Sequence, residues 1–154
     1  GYFRSPEKSN CGGVRFHQGF LRDSTRNDNL ASIKDLIKNH RGRISRVLIT
    51  GTGKGAAVAS IFTLRHAREI LSWSKANVTD CSKPENNQAI DLRCVTFGCP
   101  KFIQSRDIAS VDSEISSRII HLYGEHEFVP LSLTSLTKKY GRVGLIVNIN
   151  GSPE

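Results

Sequence analysis

Between Arg46 and Phe62 the chain reads Arg-Val-Leu-Ile-Thr-Gly-Thr-Gly-Lys-Gly-Ala-Ala-Val-Ala-Ser-Ile-Phe. A short β-branched and aliphatic run, three glycines within five positions and a long apolar run rich in alanine predict a buried strand, a tight turn and a buried helix. The first turn of such a helix offers backbone N–H groups without intrahelical acceptors. Whatever stands at the turn is therefore aimed at a small polar ligand or a reacting oxyanion.

Local spacing leaves more than one chemistry for this elbow. A phosphate-cradling Walker loop requires a glycine where Leu48 stands and a Ser or Thr where Gly55 stands, so it is excluded. A dinucleotide fingerprint G-x-G-x-x-G/A is met by Gly51, Gly53 and Ala56. A nucleophile elbow G-x-S-x-G is met by Gly51, Gly53 and Gly55 in outline, with Gly53 in the serine's place.

The 154 residues suffice for a single domain, 1–154, with an irregular lead-in over 1–13, although they are few for either architecture. The chain opens on Gly1 and has no methionine, as expected of a mature form, a domain or a fragment. The protein is basic, with a formal charge of +8. Its 22 Lys and Arg are scattered, with no basic arm or Arg/aromatic module, so nucleic acid is not the expected partner. No apolar run approaches the roughly 20 residues of a membrane span, and no cleavable signal is present. Cys11, Cys81, Cys94 and Cys99 lack zinc-binding spacings and permit up to two disulfides or, alternatively, buried thiols. Asn77-Val78-Thr79 is a glycosylation acceptor sequence near Cys81. It points to a secreted glycoprotein, with a cytoplasmic chain as the alternative. No metal constellation or cofactor motif beyond the dinucleotide fingerprint emerges.

In chain order, Val14 to Phe20 alternates as a short strand. Leu30, Ile33, Leu36 and Ile37 follow at helical spacing behind the caps Asn27-Asp28-Asn29. After the elbow strand, the next helix is apolar through Leu64 and polar from Arg65, so its start is expected to be buried and its end exposed. A polar surface excursion covers 72–91. Strands are expected at Leu92 to Phe97, Arg118 to Tyr123 and Leu145 to Ile149, with a helix over Arg106 to Ser116. Strands alternating with helices imply a mostly parallel sheet covered on both faces, which binds ligands at the strands' carboxyl ends. The elbow, Gly98 to Pro100 and Gly124 to Pro130 all fall there.

Four segments together resemble successive motifs of the class 3 (fungal-type) lipases. They are Phe16-His-Gln-Gly-Phe20, Ile49-Thr-Gly-Thr-Gly-Lys-Gly-Ala56, Val95-Thr-Phe-Gly-Cys-Pro100 and Glu127-Phe-Val-Pro130, with a shortened later motif at Tyr140-Gly-Arg-Val-Gly144. The resemblance implies a compact α/β-hydrolase fold and a Ser, Asp, His triad that cleaves acylglycerol or phospholipid esters. Carried over, the nucleophile falls on Gly53 and the acid on Glu127. The family's histidine lies beyond this point, and no His follows His126. Phe3-Arg4-Ser5 is the candidate for the upstream oxyanion loop.

Glycine has no atom with which to attack an ester. It also relaxes an elbow conformation that costs a residue with a Cβ of order 1–3 kcal/mol. Gly53 and Glu127 are therefore expected to be vestigial triad positions in a catalytically inactive, lipase-like binding or interaction protein. The alternatives are an active esterase with a nonstandard constellation, for which Thr52 is the nearest hydroxyl, and a Rossmann-type module. The candidate ligand-binding residues are Thr52, Lys54, Gly55 and His17. Lys54, a cation in the first turn of a helix, opposes the macrodipole unless an anion is held there. The expected ligands are a lipid, a fatty acid or a small anion, and a protein partner is also admitted. His126 beside Glu127 is a candidate pH-sensitive pair, and His121 is expected as a satisfied core residue.

Overall fold

The computed structural model describes residues 7–8, 13–26, 29–40, 44–73, 89–124 and 139–149. In chain order the elements are β1 (Glu7–Lys8), β2 (Arg15–Phe16), α1 (Gln18–Arg26), α2 (Leu30–Asn39), β3 (Arg46–Thr52), α3 (Lys54–Ser72), β4 (Asp91–Phe97) and β5 (Ile103–Gln104). A 3-10 turn (Ser105–Ser110), α4 (Ser113–Ser116), β6 (Ile119–Gly124), β7 (Tyr140–Gly141) and β8 (Leu145–Ile149) complete the set.

Two sheets organise these elements. The larger has the order β3-β4-β6-β8 and is parallel throughout, with Gly51 beside Thr96, Thr96 beside His121 and His121 beside Ile146. The smaller has the order β1-β2-β5-β7 and is antiparallel. Parallel neighbours need a crossover, and α3 supplies the one from β3 to β4, packing over both strands. Small side chains allow that close packing, with Ala56, Ala57, Ala59 and Ser60 all buried.

A single hydrophobic cluster joins α1, α3, the large sheet and the small one through Phe16, Phe20, Ala56, Ile61, Cys94, Phe102 and Ile119. A second ties Leu30, Ile33 and Ile37 of α2 to Val47 and Ile49 of β3 and to Phe62 and Ile70 of α3. Arg15 of β2 fastens the small sheet to the 3-10 turn that follows β5. Its Nε and Nη2 donate to the two carboxylate oxygens of Asp107 at 2.9 and 2.7 Å, and its backbone N–H adds a third bond of 2.9 Å.

A mostly parallel α/β sheet is present as expected, and so are the strands at β4, β6 and β8 and the helix at α2. Several details differ. The alternation from Val14 gives only the two-residue β2; from Gln18 the chain is helical, because Phe20, Leu21 and Ser24 recur at helical spacing and are buried. The 106–116 segment is not one helix. Val111 is extended and Asp112 accepts from the Glu114 N–H at 2.9 Å, so Asp112 caps a separate α4. The lead-in contributes β1. The buried stripe of α3 continues to Ala67 and Ile70, past the polar residues on its other side. Strand β3, expected to be buried, has Leu48 exposed, because among the described residues it is the edge of the sheet and no described helix packs on that face. Cys94 and Cys99 are free, buried thiols. Cys11, Cys81, the glycosylation triplet, Phe3-Arg4-Ser5, His126 and Glu127 lie outside the described residues.

Candidate functional site

The strand-to-helix turn has the geometry of an elbow. Gly53 joins β3 to α3 at φ 49°, ψ −120°, in the range L side chains rarely adopt. Its N–H donates to the Phe97 carbonyl at 2.9 Å, and the Gly98 N–H donates to the Leu122 carbonyl at 3.0 Å. The carboxyl ends of β3, β4 and β6 are thereby laced together. A Cβ built on Gly53 meets nothing within 4 Å, so a side chain has room there. Gly51 is the opposite case: its Cβ would stand 2.4 Å from the Gly55 carbonyl oxygen. Strand and helix can approach this closely only because that position is glycine.

Thr52, Lys54 and Gly55 surround Gly53 by sequence, and all three are exposed. The Ala56 N–H already donates to the Gly53 carbonyl at 3.1 Å. The N–H of Gly55 belongs to the first turn, where helix geometry provides no acceptor. Lys54 Nζ lies 2.6 Å from an Asp23 carboxylate oxygen, and the lysine's hydrogen bond holds that carboxyl below the usual range. Asp23 therefore supplies the anion that a cation at a helix N-terminus calls for. Sequence reasoning missed Asp23, because reading 14–20 as a strand hid the helical phase that brings α1 against α3.

His17 stands just before α1. Its N–H donates to the Phe102 carbonyl at 2.8 Å, and its ring packs on Phe20 and Tyr140 at centroid distances of 4.6 and 5.5 Å. It is linked to the elbow through α1, whose Asp23 reaches Lys54.

Behind the strand ends lies a buried polar group. His121 Nε2 is 2.8 Å from the Val143 carbonyl and Nδ1 is 2.6 Å from Thr96 Oγ1. A carbonyl only accepts, so Nε2 carries the proton and Thr96 donates to Nδ1. Burial pulls this histidine down to about 4; the Val143 bond opposes that shift and the Arg142 charge adds to it. It is the satisfied core residue expected from the sequence. The Cys99 carbonyl accepts from Tyr123 Oη at 2.6 Å and from Arg142 Nε at 2.7 Å, with the guanidinium 4.9 Å from the centre of the Tyr123 ring. Burial raises the Cys94 thiol and pushes Cys99 up to about 12, which removes both as nucleophiles near neutral pH. Among the described residues no group of His, Cys, Asp and Glu could hold a metal ion, and no helix is long and apolar enough to cross a membrane.

The family model described as Lipase (class 3) matches residues 2–136. Among solved structures, the chain is similar to lipase II from Rhizopus niveus, at 17% identity and a TM-score of 0.66, covering 94% of this chain and 49% of that one. For the triacylglyceride lipase of Rhizomucor miehei the values are 22%, 0.67, 98% and 52%. For a lipase from Rhizopus microsporus var. chinensis they are 17%, 0.67, 98% and 47%. The chain thus spans about half the length of the lipases it resembles, and at these identities the likeness concerns the fold. Among curated proteins no sequence matches.

Proposed function

The chain belongs to the class 3 lipase family, and on that premise we propose that it is a lipase-derived domain without ester-cleaving activity that binds a lipid, a fatty acid or a small anion. The observation that carries this reading is Gly53: the turn keeps the positive-φ geometry of a nucleophile elbow, yet the position has no side chain. Acyl transfer needs an attacking atom and a base to take its proton. Thr52 occupies the neighbouring position on β3, and alternation along a strand turns its side chain away from that of the next residue. His121 is sealed by two hydrogen bonds. Glu127 is the vestigial acid of this reading. The glycosylation triplet at Asn77 supports an extracellular site of action.

The binding half of the proposal rests on Lys54 and the first turn of α3, with His17 as a neighbouring contact; the side chain of Thr52, the other expected ligand residue, stands on the sheet face opposite α3, so Thr52 adds only its backbone. An incoming carboxylate must compete with Asp23 for Lys54. Two measurements test the reading. Purified protein should hydrolyse a short-chain nitrophenyl ester no faster than its heat-denatured control; turnover well above that control overturns the loss of catalysis. In calorimetric titration with a medium-chain fatty-acid anion, Asp23→Asn should bind tighter than the parent and Lys54→Ala weaker. Equal affinity across the three removes the anion site.

A further inference from the structure

Helix α1 has two unlike sides. Phe20, Leu21 and Ser24 turn into the core, while Arg22 and Arg26, four residues apart, share the exposed crest. On one flank of the helix Lys54 Nζ meets Asp23 at 2.6 Å; on the other, Arg65 Nη1 donates to Thr25 Oγ1 at 3.4 Å. Four cations thus stand along α1 against the single carboxylate of Asp23. After the Lys54 hydrogen bond, the charges of Lys54, Arg22 and Arg26 all hold that carboxyl down.

Other cations of the fold are answered where they stand. Arg46 and Arg93 share Asp91, Arg68 meets Asp112 and Arg118 meets Glu114. Among the described residues Arg22 and Arg26 form no ion pair. Like charges at this spacing oppose a helix. Arg26 is in the last turn, where a cation suits the dipole, but Arg22 has no such compensation. An opposing anionic array relieves both.

We propose that the crest of α1, with Lys54 and Arg65 at its flanks, docks on an anionic phospholipid surface. The two crest arginines diverge from a convex helix and do not converge on one point, so they suit an extended array of phosphates better than a single small anion. The apolar residues of α1 are committed to the core, so the protein adsorbs by charge without inserting, and salt releases it. The choice of a lipid surface rests on the reading that the elbow takes a lipid or fatty acid: Lys54 adjoins Gly53, so docking brings the elbow to the headgroups.

Co-sedimentation with vesicles tests this. The parent protein should pellet with phosphatidylglycerol vesicles, stay in solution with phosphatidylcholine vesicles, and be released at about 1 M salt, where screening shortens to about 3 Å. Arg22→Gln with Arg26→Gln should lower partitioning about thirty-fold, at about 1 kcal/mol per cation near the surface, with an unchanged circular-dichroism spectrum because both side chains are exposed. Arg46→Gln with Arg93→Gln removes the same charge from the sheet face opposite α3 and should leave partitioning nearly as in the parent. No binding to phosphatidylglycerol, equal losses in the two double variants, or binding that survives high salt overturns the proposal. A parent that binds heparin but not the vesicles overturns it in favour of a soluble polyanion. Calorimetric titration with a medium-chain fatty-acid anion reads the elbow separately. Fatty-acid binding without vesicle binding overturns the docking surface alone; vesicle binding without fatty-acid binding supports the surface and removes the elbow's ligand.

Discussion

At the scale of single residues, His121 links the fold to pH. It is fully buried and neutral, donating from Nε2 to Val143 and accepting at Nδ1 from Thr96. Its folded value is about 4 against an ordinary 6.5. Between those values the unfolded chain binds a proton that the native protein refuses, so stability is complete above about pH 6.5 and falls as pH drops toward 4. The expected loss is about 3 kcal/mol, read as a falling urea midpoint, and His121→Gln should flatten that part of the slope. An unchanged slope in the variant would place the proton elsewhere. Asp23 and Asp107, held below the ordinary carboxylate value by Lys54 and Arg15, contribute stability that is lost at lower pH still, so the two windows separate. Both histidine contacts were invisible in the sequence, because Val143 lies twenty-two residues from His121. Only the expectation that a strand histidine is satisfied in the core was legible.

At the scale of elements, the elbow was the most legible unit and its glycines make the sharpest comparison. Gly53→Ala introduces a side chain into open space at a positive φ, a cost of about 1–3 kcal/mol. Gly51→Ala drives a methyl group into the Gly55 backbone and must separate β3 from α3; its cost should exceed that of Gly53→Ala, by denaturant titration of both. Equal midpoints would mean that strand and helix part more easily than their packing implies. The short elements were not legible for a physical reason. β1, β5 and β7 have two residues each, too few for an alternation to register, and the ladder bonds that define them come from distant partners. Helix α1 contains Gly19, a weak helix former, and is held by its contact with α3, which no local pattern announces. The aliphatic run of β3 matched a strand buried on both faces, yet a run of apolar residues cannot say which face a neighbour will cover.

At the scale of the whole molecule, both sheets share one core, and Cys94 and Cys99 stand within it. Their thiols should resist a disulfide-exchange reagent in the native protein and react only through global opening. Mass-spectrometric mapping of the labelled peptides should give an opening free energy equal to that from denaturant titration; rapid labelling of either thiol under native conditions would show that the core opens locally. The mostly parallel sheet and the family frame were readable in advance, from strands alternating with helices and from the glycine-rich turns; the strand order was not. The unequal covering of the large sheet was not, since it depends on what the rest of the chain places beside it. The Cys99 carbonyl meets the ends of two strands, taking one hydrogen bond from Tyr123 of β6 and another from Arg142, which follows β7. Two short bonds, one from a cation, weaken the C=O stretch, so a carbon-13 label at this carbonyl would appear as a red-shifted infrared band. The protein carries at Cys99 a vibrational gauge of whether its two sheets remain joined.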